Sequence, residues 1–116
     1  MIKITGKLPT LNEYIELERR NKFLAAKLKK AYTNLISAQV RIQTKEKLSG
    51  LYDVYFYWHV SGKADPDNIY HGVKYVLDGC VKSGYLKNDN QKHVKRNIHD
   101  IIKSDSDYVI VKFVVS

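Results

Sequence analysis

The chain is poor in the residues that staple or punctuate small proteins. Its 116 residues include one cysteine, Cys80, and two prolines, Pro9 and Pro66. A lone cysteine excludes an internal disulfide, and no Cys/His spacing of a zinc site is present. No apolar run reaches the length of a signal peptide or of a bilayer span. The expected compartment is therefore the cytoplasm, and no membrane partner is expected. No linker, repeat or low-complexity tract divides the chain. A single domain, residues 1–116, with one core is the expectation. Acids are also scarce at one end: residues 1–50 carry 11 Lys and Arg against 4 Glu and no Asp.

What is present is a basic protein of ordinary globular composition, with a formal net charge of +8, 44% hydrophobic and 28% charged residues. Residues 51–116 hold 9 basic residues and all 8 aspartates. The first half thus suits a polyanion and the second half suits acidic chemistry. Lysines and arginines hold a polyanion, and aspartates hold a divalent cation against it: that is the chemistry of a metal-dependent nuclease.

Met1 to Leu8 alternates apolar and polar residues and reads as a short strand. Thr10-Leu11-Asn12-Glu13, directly after Pro9, is a capping-box pattern. From Leu11 to about Gln43 there is no Gly or Pro, which predicts one long helix or two in line with a break near Arg20-Asn21. Residues 51–60 are dense in aromatic and β-branched side chains and predict a strand. A second, amphipathic helix is expected from about Asp67 to Ser83, with Pro66 at its first position and Gly84 past its end. Strands are expected over His93–Ile102 and Tyr108–Val115. The order β-α-β-α-β-β gives an α+β class with helices on a mixed sheet.

The acidic residues concentrate around that second helix. On a wheel of about 100° per residue, Ile69, Val73, Val76, Leu77, Cys80 and Val81 share the core-facing side. Asp67, His71, Lys74 and Asp78 fall on one polar stripe at i, i+4, i+7 and i+11. Asp65 lies just before the helix and Asp89 after the chain has turned back. Three carboxylates from two segments suit a hard cation such as Mg²⁺. Lys74 is placed to neutralise charge on a scissile phosphate. Each residue also has a purely structural reading. Asp-Pro-Asp is a common helix cap, Asp89 suits a turn, and Asp78 can pair with Lys74 or Lys82. His71 can be a surface helix residue.

The segments Asp65-Pro66-Asp67-Asn68, Lys74-Tyr75-Val76-Leu77-Asp78-Gly79 and Gly84-Tyr85-Leu86-Lys87-Asn88-Asp89 together resemble the RusA family of Holliday junction resolvases. The opening Leu8-Pro9-Thr10-Leu11-Asn12-Glu13-Tyr14 is similar to that family's Pro-rich start. The resemblance implies a small, Mg²⁺-dependent, homodimeric endonuclease, often prophage-encoded, that cuts four-way DNA junctions. By position it implies that Asp65, Asp67 and Asp89 are metal-binding and catalytic, with Lys74 as the catalytic lysine. The pattern departs at two points: in the best-known branch the lysine stands one turn after the second aspartate, where this chain has His71, and the acidic pair is Asn88-Asp89 here, so only Asp89 carries over as a ligand.

Two basic groups are candidates to track phosphates: Arg19, Arg20 and Lys22 on the first helix, and Lys87, Lys92, Lys95 and Arg96 around Asp89. A solvated helix face is the plain alternative. The tyrosines at 52–57 suit base stacking or core packing. Paired cleavage of a two-fold junction calls for a C₂ dimer. The strand Tyr108–Val115 is either an interface or a central strand covered on both faces. Two other functions fit the same composition: a non-catalytic DNA-binding protein, and a metal nuclease for flaps or other branched DNA.

Overall fold

A computed structural model describes all 116 residues. Its elements are β1 (Ile2–Thr5), α1 (Leu11–Arg20), α2 (Lys22–Gln43), β2 (Tyr52–Val60), α3 (Pro66–Tyr70), α4 (Val73–Ser83), β3 (Val94–Lys103) and β4 (Tyr108–Val115). The class is α+β. Each expected helix is broken in two, so the order is β-α-α-β-α-α-β-β rather than β-α-β-α-β-β.

The four strands form one mixed sheet in the order β1-β4-β2-β3. Strand β2 pairs in parallel with β3 and antiparallel with β4, and β1 pairs antiparallel with β4. The parallel pair is joined by the α3–α4 connection, the kind of crossover such a pair requires. Strand β4 is therefore an inner strand. Val109 and Val111 are buried on its covered face, whereas Lys112 on the opposite face is exposed.

One face of the sheet supplies Ile2, Ile4, Val54, Phe56, Trp58, Val109 and Val111 to the core, and α2 and α4 cover it with Ile36, Val40, Val76 and Cys80. The alternate residues Tyr55, Tyr57, His59 and Ile110 are half-buried on the other face. There the Tyr55 and Tyr57 rings stack at 6.5 Å, and His59 stacks on Tyr108 at 4.1 Å. Of the tyrosines at 52–57, then, Tyr52 is core and the other two are surface-lining.

The first break falls at Asn21, where the backbone turns extended (φ −162°, ψ 106°). The Asn21 side chain accepts from the N–H groups of Phe23 and Leu24 and so caps α2. The helices are not collinear: a groove between them is lined by Glu13, Leu17, Arg20, Leu28 and Tyr32. The capping box at the start of α1 is formed, with Glu13 N–H donating to Thr10 Oγ1 and Thr10 N–H to Glu13 Oε1.

The second break corrects the expectation of a continuous helix over 67–83. His71 (φ −52°, ψ −30°) and Gly72 (φ −59°, ψ −20°) adopt the tighter 3₁₀ conformation. Gly72 N–H donates to Ile69 O and Lys74 N–H to His71 O, both i to i−3 bonds. Packing explains the choice of residue. A Cβ on Gly72 would lie 3.0 Å from the Trp58 ring and 3.1 Å from Leu8. The extra rotation moves the polar stripe out of phase. It also buries Tyr75, which the wheel left outside the core and which is only 1% exposed. Gly79 brings α4 onto α2: a Cβ there would stand 2.4 Å from Ile36 Cγ2.

Candidate functional site

The site is built on α3, α4 and the loop that follows. Asp65 is the residue before α3, with Pro66 opening the helix and Asp67 in its first turn. Asp65 holds α3 through its backbone, whose carbonyl accepts from Asn68 and Ile69. Its side chain makes no cap hydrogen bond. Both carboxylates are exposed and neither belongs to an ion pair. Asp65 thus takes the N-cap position without a side-chain cap bond, and Asp67 stands in the first turn, where the helix dipole favours an acid.

Asn68 has a definite structural task. Its Oδ1 accepts from the backbone N–H of Asn12 at 2.8 Å. One of the unsatisfied donors at the start of α1 is met from α3, so the two segments that carry the family resemblance touch each other. The sequence pattern contained this Asn, but nothing in its spacing named Asn12 as its partner.

Lys74, in the first turn of α4, lies 3.2 Å from Asp78 Oδ1 and 3.4 Å from Asp89 Oδ2. Asp78 is its i+4 neighbour on the helix. Asp89 arrives from the loop. Gly84, with φ 87°, ends α4 in the left-handed region, and Leu86 N–H donates back to Cys80 O. Asn88 Oδ1 then accepts from the N–H of Asp89 at 2.7 Å and of Asn90 at 3.3 Å, an Asx turn that aims Asp89 back at the helix. Burial pulls the Lys74 ammonium down, but the hydrogen bonds and charges of Asp78 and Asp89 outweigh it, and its pKa is raised.

His71 faces elsewhere. Its Nε2 is 3.0 Å from Tyr75 Oη, and its ring lies 5.2 Å from that of Tyr14. Burial, with a smaller push from Lys29, lowers the His71 pKa. Burial raises the Tyr75 hydroxyl to about 12. We assign the bond as a neutral phenol donating to a neutral imidazole. Of the two candidates for the lysine's role, Lys74 is the one in contact with Asp89.

The structure thus brings together Lys74, Asp78 and Asp89. Asp65 and Asp67 stand one short helix upstream, beyond the His71-Gly72 turn. No three His, Cys, Asp or Glu side chains gather in one group. Asp78 and Asp89 both face the Lys74 ammonium, at 3.2 and 3.4 Å.

Among the basic candidates, Arg19, Arg20, Lys22, Lys87, Lys92 and Lys95 are exposed. Arg96 is engaged: on the β2–β3 register it sits opposite Asp53, with Nε 3.0 Å from Asp53 Oδ1. Its N–H is not aimed at that oxygen, so the contact is an ion pair without a hydrogen bond. Arg19 and Arg20 occupy the last turn of α1, where they also offset the helix dipole.

No protein-family model and no curated protein matches the chain. No helix is long and apolar enough to cross a membrane.

Proposed function

We propose that this chain is a Mg²⁺-dependent, structure-selective endonuclease that resolves four-way DNA junctions by paired phosphodiester cleavage, acting in the cytoplasm as a homodimer. The reading rests on the resemblance of residues 65–89 to junction resolvases. The observation that carries it is the contact of Lys74 with Asp89 across fifteen residues of sequence, at 3.4 Å. Two separated pieces of the motif meet through two side chains, Lys74 and Asp89, that lie outside the core.

In this reading Asp65, Asp67 and Asp89, which do not form one group in this structure, would hold the ion. Bound there, Mg²⁺ would supply Lewis acidity and a more acidic water. The chain's own groups do the rest. Asp89 and Asp78 keep Lys74 charged, and the ammonium offsets charge that develops on the scissile phosphate. The exposed lysines Lys87, Lys92 and Lys95 beside that loop, and Arg19, Arg20 and Lys22 at the α1–α2 corner, take up backbone phosphates.

Labelled four-way junctions and linear duplex, incubated with and without Mg²⁺, test the proposal. Cleavage confined to the junction and to Mg²⁺ supports it. Tight binding of DNA with no cleavage under any divalent ion would instead make the chain a non-catalytic DNA-binding protein.

A further inference from the structure

A cleft opens at the C-terminal end of β2, between the β1–α1 connection, the loop that leads to Asp65, and the β3–β4 turn. Leu8, Trp58, Val60 and Ile69 give it an apolar interior of about 100 Å³. A closed apolar cavity of about 150 Å³ holds benzene, so an open cleft of this size takes one flat ring and little more. Lys7 and Lys63 also line it, both exposed and outside every ion pair. The outer wall is fixed. Ser61 N–H and Oγ donate to the two carboxylate oxygens of Asp107 at 3.0 and 2.9 Å. Lys103 Nζ donates to the carbonyls of Ser61 and Gly62 at 3.3 and 2.9 Å. Gly6 N–H donates to Asp107 O at 2.9 Å. Three segments distant in sequence are thus tied together around the cleft, which spares a ligand the cost of ordering them.

We propose that this cleft takes one unpaired nucleobase of a DNA strand, with the flanking phosphates on Lys7 and Lys63. The chemistry selects the occupant. An apolar slot with free ammonium groups at its margin calls for a flat ring joined to an anion, which describes a nucleotide. A duplex keeps its bases stacked inside, so only an unpaired or extruded base reaches the slot. Position selects a strand over a free nucleotide. Lys63 is two residues from Asp65, within about 7 Å of chain, so a strand anchored there runs on past that carboxylate.

The inference rests on the nuclease reading for its role: a base seated in the cleft holds the strand beside the aspartates and favours DNA with interrupted pairing over linear duplex. Its test needs neither metal nor cleavage. Trp58 is the one tryptophan of the chain and lines the cleft, so its fluorescence reports occupancy directly. Quenching without cleavage would sink the nuclease reading and leave the base site standing. Cleavage without quenching would do the reverse.

The probe is a short, end-labelled strand of abasic sugar phosphates carrying one central base, titrated in chelator. It should quench Trp58. The same strand with no base should bind ~tenfold or more weakly, read by anisotropy of the label, and leave the emission unchanged. Lys7→Ala combined with Lys63→Ala should weaken both strands alike and flatten the salt dependence, because those contacts are to phosphate. Ala64→Phe, at an exposed position lining the cleft, should erase the difference between the two strands with melting unchanged. Equal affinity of the two strands, or a base that leaves Trp58 unquenched, overturns the proposal. So does a fully paired duplex that quenches as strongly, a difference that survives Ala64→Phe, or a mononucleotide that binds as tightly as the strand, which would make the cleft a site for free nucleotide.

Discussion

Lys74 Nζ sits between two carboxylates, 3.2 Å from Asp78 and 3.4 Å from Asp89. One belongs to its own helix and the other to a loop fifteen residues away, so the ammonium ties the Asx-turn loop to α4. Half of the side chain remains exposed, which leaves the charge accessible to a phosphate and makes the ion pairs themselves small contributors to stability.

Lys74→Ala is therefore expected to lower the single-turnover cleavage rate at saturating protein, by ~tenfold to a thousandfold, with junction affinity nearly unchanged. His71→Ala, which loses the contacts with Tyr75 and Tyr14 but none with Asp89, should cut at close to the normal rate. Rapid-quench cleavage of both variants checks this. The reverse pattern, with His71→Ala inactive and Lys74→Ala normal, would move the lysine's role to position 71.

Asp67→Asn should abolish cleavage and preserve junction binding. Asp67 is exposed and outside any ion pair, so the variant should melt like the parent chain. Loss of one negative charge near DNA should leave affinity equal or higher, as read by electrophoretic mobility shift. A folded variant that no longer binds junctions would speak for a structural role.

Acid should destabilise the fold through His99. Trp58 Nε1–H donates to His99 Nδ1 at 3.0 Å, which requires that nitrogen to be unprotonated. Burial lowers the His99 pKa below 6.5, and His71 shifts the same way. The unfolded chain thus binds protons that the folded chain does not. Stability is full above 6.5 and falls as the pH drops from there through the lowered folded-state values. The melting temperature should be lower at pH 5 than at pH 7.5, and His99→Gln should shrink the difference.

Gly79→Ala should cost about 1–3 kcal/mol, because its methyl would overlap Ile36 Cγ2 where α4 crosses α2. Urea unfolding measures the loss, and Ile36→Ala, which removes Cγ2, should cost less beside Gly79→Ala than it does alone if the overlap is the cause.

Strand positions were legible because β2 and β4 are runs of aromatic and β-branched residues bounded by polar loops. Strand β4 is Tyr108–Val115 in both the sequence reading and the structure. The Asn21 break was legible for a related reason: a polar side chain that competes with the backbone interrupts a run of helix formers. The 3₁₀ turn at His71-Gly72 was not legible. Its cause is the Trp58 ring and Leu8 pressing on Gly72, a contact made fourteen and sixty-four residues away in the chain. A wheel drawn at one constant angle cannot anticipate such a turn. Hence Lys74 and Asp78 stayed together as expected, while His71 left the stripe for Tyr75.

The most direct test of the nuclease reading is a time course on a four-way junction labelled on two opposing strands, resolved on denaturing gels with Mg²⁺ or with chelator. The account predicts paired, symmetric nicks near the branch point that appear only with Mg²⁺, and an intact linear duplex beside them. A junction that is bound but remains uncut in Mg²⁺ and in Mn²⁺, or a duplex cut as fast as the junction, would contradict it.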